Sequence, residues 1–244
     1  MKVNTAKPRC LTLIIIVTAA VLASACGPPN ITTQPPSTSS SSAPPARELS
    51  GDYKVTGTDA NGNPQYTGAL TVTNEGDGYR FRWTTNREAH DGVGVQMGNA
   101  VAVSYARTGG GKGCGVVLYK IASDGSLDGR IARWGEYTFG IERATRTEGR
   151  NFPGKYDVKG RTADGKEYSG PLTIEKNGAG YQFDWKTDKP FAAFGLQKGS
   201  VAAASFGGKQ CSFMLFDIQG DGDLKGDWGS QRAVTFGKET AERQ

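Results

Sequence analysis

The sequence predicts an all-β protein: two tandem antiparallel meander β-barrels of about eight strands each, placed behind a signal peptide and a disordered linker. Three observations predict it. One pattern of about 95 residues is written twice. Within each copy, aromatic and β-branched residues alternate with polar ones at period two, the mark of a half-buried strand, and no segment carries a helical period. Turn signals recur every 8–14 residues, and glycine, at 35 of 244 residues, is about twice as frequent as usual.

The first element is a leader, residues 1–25. Lys2, Lys7 and Arg9 form a positive n-region, followed by the 13-residue apolar run LTLIIIVTAAVLA over 11–23. A membrane span needs about 20 apolar residues, so the run fits a signal-peptide h-region. It ends in A-S-A-C. The stretch L-A-S-A-C-G resembles a bacterial lipoprotein lipobox, with Leu22 one place early and Ala23 in the usual Leu position. The resemblance implies cleavage before Cys26 and acylation of that cysteine with palmitate-type chains. Two or more chains anchor stably where one is marginal. The alternative is ordinary cleavage after Ala25, leaving a free thiol.

Residues 26–48 follow as a tether. GPPNITTQPPSTSSSSAPPARE holds six of the 11 prolines and almost no side chain large enough for a core. As a flexible coil it would reach roughly 25 Å.

The two copies then occupy 49–146 and 150–244. GDYKVTG (51–57) answers GKYDVKG (154–160), and YTGALTV (66–72) answers YSGPLTI (168–174). GYRFRW (78–83) answers GYQFDW (180–185), and TFGIE (138–142) answers TFGKE (235–239). A short hinge around RTEGRNF is expected to join them, with each copy closing its own core. Tyr79, Phe81 and Trp83 alternate with arginines, as Tyr181, Phe183 and Trp185 do with Gln182 and Asp184. The turns are DANGNP, NEGDG, GGGKG and SDGS in copy one, and TADGK, KNGAG and GDGD in copy two. Closure of eight short antiparallel strands into a barrel removes exposed edges.

GDYKVTGTDANGNPQYTG, GVVLYKIASDGSLDGR and the closing TFGIE together resemble a family of small bacterial secreted proteins often labelled fibronectin-binding. Its pattern is G-x-Y-x-V-x-G, then Y-x-G, then V-x-Y-x-I-x-x-DG-x-L-x-G and a final G-x-E. The likeness covers nearly all of each repeat and is weaker in the second, where Phe216-Asp217 replaces Tyr119-Lys120. It implies an all-β fold and binding of a host-matrix protein, but no motif residue carries that binding.

Charge and motifs exclude several functions. The formal charge is +5, but without the three leader cations the balance is 26 basic against 24 acidic residues, interspersed. A nucleic-acid partner wants a clustered basic face. His90 is the single histidine and reads as polar loop surface. Triad chemistry needs a base beside a nucleophile, and none recurs, so no enzyme is expected. GRNFPGKY (149–156) and GRTADGKE (160–167) match G-x4-G-K but lack the Ser/Thr and the helix of a phosphate loop. DIQGDGDLKGD (217–227) fails the EF-hand spacing and reads as a turn, with a weak surface calcium site as the alternative. No cofactor or metal is expected.

Two further sets of residues remain open. Cys114 and Cys211 hold equivalent places in different copies. They bridge only if the copies face each other about a two-fold axis, since Cα atoms must lie within about 7 Å; otherwise they are two half-buried thiols. Tyr53, Tyr79, Trp83, Tyr156, Tyr181 and Trp185 line a ligand cavity if the barrels are hollow, and are core if they are filled.

The function expected from these readings is a membrane-anchored, non-enzymatic lipoprotein binding an envelope or extracellular-matrix protein, fibronectin included. The alternative is a small-ligand carrier of the barrel type. In a cell with two membranes the anchor lies in the outer one, and the globular part faces periplasm or exterior.

Overall fold

A computed structural model describes residues 47–136, 138–231, 233 and 235–244. The leader, Cys26 and the tether up to residue 46 lie outside the described residues.

Sixteen strands follow one another. The first five are β1 (Gly51–Thr58), β2 (Pro64–Glu75), β3 (Gly78–Thr85), β4 (Ala89–Met97) and β5 (Ala100–Arg107). Next come β6 (Gly115–Ile121), β7 (Leu127–Arg133), β8 (Gly140–Glu148), β9 (Gly154–Arg161) and β10 (Glu167–Asn177). The last six are β11 (Gly180–Trp185), β12 (Phe191–Lys198), β13 (Val201–Phe206), β14 (Ser212–Ile218), β15 (Leu224–Gly229) and β16 (Gly237–Arg243). They close into two antiparallel eight-stranded barrels. The first has the order β1-β16-β15-β14-β5-β4-β3-β2, and the second β10-β11-β12-β13-β6-β7-β8-β9.

The sequence copies and the barrels do not coincide. β1–β8 form one copy and β9–β16 the other, yet the second barrel is the continuous run β6–β13, and the first is made from the two ends of the chain. The expectation that 49–146 and 150–244 each close a core of their own is therefore corrected. The segment RTEGRNF is not a hinge between bodies but the tip of the β8–β9 hairpin inside the second barrel. The GGGKG segment is not a hairpin turn but the crossover from the first barrel to the second. The physical reason lies in the duplication. β5 can pair with β6 of its own copy or with the equivalent β14 of the other, and the inward pattern is satisfied either way. Here β5 pairs with β14, and β13 with β6.

Each core is the inward half of the alternation. In the first barrel Val55, Leu70, Val72, Phe81, Val103 and Phe216 are fully or almost fully buried. Tyr156, Leu172, Ile174, Phe183 and Tyr119 do the same in the second. A third apolar cluster lies between the barrels. Val93, Val95, Ala102, Phe213 and Leu215 of the first meet Val116, Leu118, Phe194, Leu196 and Ala203 of the second. These strands are covered on both faces and so read as continuous apolar runs rather than alternating ones. At the centre, the equivalent Ser104 and Ser205 share a hydrogen bond of 2.6 Å.

The two crossovers touch. Gly207 has φ +111°, and a Cβ there would sit 2.0 Å from the carbonyl oxygen of Gly113. Next to this contact Cys114 and Cys211 form a disulfide with Cα atoms 5.6 Å apart, both buried beside Ala106.

Candidate functional site: the open end of the first barrel

Each barrel holds a buried carboxylic acid near one end. In the first it is Glu239 on β16, 2% exposed. β16 alternates Gly237, Glu239 and Ala241 inward with Lys238 and Glu242 outward. Glu239 pairs across β1 with Gly57 and across β15 with Gly226. Side chains at either place would collide with the rings that lie there. A Cβ on Gly57 would lie 2.1 Å from the Tyr66 ring, and one on Gly226 2.5 Å from the Phe216 ring. The glycines thus let both rings lie across the neighbouring strands towards the carboxyl. Tyr66 donates its hydroxyl to Oε2 at 2.6 Å, and the Trp83 indole N–H donates to Oε1 at 3.0 Å.

The second barrel repeats this arrangement around Glu142 on β8. Gly160 and Gly129 flank it, and Tyr168 donates to it at 2.7 Å and the Trp185 indole at 3.1 Å. Here a third donor is present, the hydroxyl of Tyr119. Its counterpart in the first barrel is Phe216, which has no hydroxyl. Among the described residues Glu239 therefore has one donor fewer than Glu142.

Burial raises the pKa of both acids, opposed by the hydroxyl and indole donors. Glu239 is pushed up to about 7. Burial also raises the Tyr66 and Tyr105 hydroxyls and lowers the His90 imidazole, the last against an opposing pull from Glu88.

The space above the two acids differs. Over Glu239 lies a cavity of about 230 Å³, walled by Tyr66, Trp83, Tyr105, Trp228 and His90. The Trp83 and Tyr105 rings are 5.4 Å apart, and His90 meets Tyr105 edge-on at the same distance. At the rim, Glu88 accepts from His90 Nε2 at 3.2 Å and also pairs with Arg107. In the second barrel, Phe191 stands in the place of His90 and Phe206 in that of Tyr105. Phe191 stacks on Trp185 at 4.3 Å, and the Arg133 guanidinium lies 4.7 Å over Phe206. Phe191, Tyr168 and Arg133 line a smaller space of about 160 Å³ at this end, and Glu142 is not among its walls.

Of the six aromatics expected to line a cavity, Trp83 alone does so in the first barrel. Tyr53 and Tyr79 belong to the opposite end. Tyr53 donates to the Leu49 carbonyl at 2.8 Å, receives a hydrogen bond from Arg243 at 2.9 Å, and packs with Leu49 as a plug. Tyr79 donates to Gln96 at 3.2 Å. Tyr156 donates to the Phe152 carbonyl at 2.6 Å, and Tyr181 packs edge-on against Phe152, in the same plugging roles. Trp185 lies under the Phe191 lid. His90, expected as loop surface, is instead on β4, half-buried, in the cavity wall. Sequence reasoning missed Glu239 and Glu142. The available signal was the recurrent G-x-E-x-A, which puts a carboxyl on the inward face of a strand in both copies.

The acidic segment 217–227 forms the β14–β15 hairpin. Asp223 accepts from the Arg243 backbone N–H, Asp221 from that of Asp223, and Lys198 pairs with Asp217 and Asp227. Among the described residues, no group of three His, Cys, Asp or Glu side chains is placed to hold a metal ion. Both G-x4-G-K segments are hairpins, β8–β9 and β9–β10. No protein-family profile, curated protein sequence or solved structure matches the chain.

Proposed function

We propose that the protein is a non-enzymatic bacterial lipoprotein, tethered to a membrane through acylated Cys26, whose first barrel binds a small ligand. The observation that carries this reading is the cavity of about 230 Å³ with a buried acid at its floor, where the sister barrel has a smaller space that its own acid does not line. Drug-sized ligands take about 300–1,000 Å³, so the ligand is smaller than those. The described residues of the barrels present no apolar band. Among the described residues Ile141 is the single large apolar side chain that is exposed, whereas a membrane barrel needs an apolar band about 25 Å tall. The anchor is thus the membrane contact, in the outer membrane where a cell has two, with the barrels facing periplasm or exterior. Native mass spectrometry of protein purified from its own envelope tests the reading. A small molecule released on unfolding, and missing from a His90→Phe variant, is expected. An empty protein, or equal retention by the variant, would contradict it.

A second reading, an envelope or matrix protein as partner, has its own support. A broad surface depression of about 800 Å³ is lined by Arg130, Arg143, Lys159 and Arg161 together with Asp128 and Glu167, beside exposed Ile141. Such a mixed-charge surface suits a polar protein face of complementary charge. Surface plasmon resonance against immobilised fibronectin, with an unrelated matrix protein as control, would show saturable, salt-sensitive binding if this reading holds.

A further inference from the structure

From the cavity in the first barrel we infer that its ligand is a small organic cation, a protonated amine or quaternary ammonium, seated on Glu239 within the aromatic walls. The inference rests on the proposal that this barrel binds a small ligand, and it names the chemistry of that ligand.

Three features converge. The first is the set of π-faces. Tyr66, Trp83, Tyr105 and Trp228 surround a space too small for an extended ligand, and aromatic rings attract cations through their quadrupoles. The second is the acid. A carboxylate can accept about four hydrogen bonds. Among the described residues Glu239 receives two, from Tyr66 and Trp83, and Phe216 lacks the third that Tyr119 gives to Glu142. Capacity for a cationic donor or a bare positive charge is left facing the cavity. The third is the contrast with the sister barrel. There the acid has its third donor, and two phenylalanines with an overlying arginine leave a smaller space that the acid does not line. The same scaffold thus exists in a narrowed form, with its own cation already over the rings, and in a more open form.

Among the described residues the charges facing Glu239 are few. Tyr66 and Tyr105 are neutral phenols and His90 a neutral imidazole at pH 7, as their burial dictates. At the rim Glu88 is paired with Arg107, and Arg87 lies at the mouth. Among the described residues β14 and β15 bring Ser212, Met214 and Trp228 to the cavity and no charge. Glu239 is therefore the group that titrates against a bound cation. With its pKa raised to about 7 by burial, the empty site is half protonated at neutral pH, and a cation binds the ionised form. Affinity should rise about tenfold per pH unit between pH 5 and 6 and level off above 7.

Isothermal titration of the whole protein with choline, tetramethylammonium and butylamine, each beside an uncharged isostere or near-isostere, tests this. Choline pairs with 3,3-dimethylbutan-1-ol, tetramethylammonium with tert-butanol, and butylamine with butan-1-ol. At least one cation should bind ten or more times tighter than its isostere, with the stated pH profile. Glu239→Gln should abolish both the preference and the profile. His90→Phe, which copies the second barrel's own packing, should abolish binding altogether and keeps the test valid if the Gln variant does not fold. Isosteres that bind as well as cations would overturn the cation inference and leave the small-ligand reading standing. No binding by any probe would count against both. Cation binding that survives His90→Phe would place the ligand elsewhere and overturn the assignment.

Discussion

Glu239 shows how a few glycines build a site. Gly57 and Gly226 carry no side chain, and so Tyr66 and Phe216 can lie across the strands on either side of the acid. The G-x-Y-x-V-x-G and DG-x-L-x-G motifs end on these glycines. Their spacing was legible in the sequence, but their purpose was not, because the acid they frame is some 180 residues from Gly57 and reaches it only through the β1–β16 pairing. The acid also has a consequence for stability. Its pKa is raised from 4.5 to about 7, chiefly by burial. The folded state therefore favours the protonated form. That contribution is fully present below about pH 4.5 and is lost as pH rises through about 7, a change of about 3 kcal/mol. Glu142 shifts in the same direction. Urea denaturation from pH 5 to 8 should show the Glu239→Gln variant gaining on the parent by up to about 3 kcal/mol as pH rises. Parallel profiles would show that Glu239 ionises freely in the folded protein.

Strands were the most legible elements. Alternation at 70–72, 79–83, 172–174 and 181–185 placed β2, β3, β10 and β11 with their inward faces correct, because one face of each is wet. β4–β6 and β12–β14 read less clearly, since the contact between barrels buries both of their faces. Pairing of the copies was illegible for a different reason. A duplicated sequence contains two equivalent partners for β5, and no local signal chooses between them. The crossovers hold the choice, through the close approach of Gly207 to Gly113 and the disulfide beside it. The bridge closes a loop of 97 residues, and loops of that length gain about 4–5 kcal/mol in the chain-entropy model. Replacing both cysteines by alanine should lower the unfolding free energy by about 2–5 kcal/mol, read from denaturant midpoints with unchanged slope. A loss under about 1 kcal/mol would mean that the inter-barrel cluster alone fixes the exchange.

At the scale of the molecule, duplication has produced two barrels of one plan that have diverged at one end. The second is narrowed by Phe191 and Phe206, and the first stays more open with His90 and Tyr105. A hollow barrel and a filled one share the same alternation, so the inward aromatics alone could not tell which residues meet space. Four of the six flagged in the sequence plug the far ends and one lies beneath a lid. The protein has four tryptophans, Trp83, Trp134, Trp185 and Trp228, and their indole N–H resonances report each barrel separately. The most direct test of the open first barrel is to follow these four signals while choline is added. The account predicts that Trp83 and Trp228 move in a saturable way while Trp134 and Trp185 stay in place. Movement at Trp185, or none at Trp83, would contradict it.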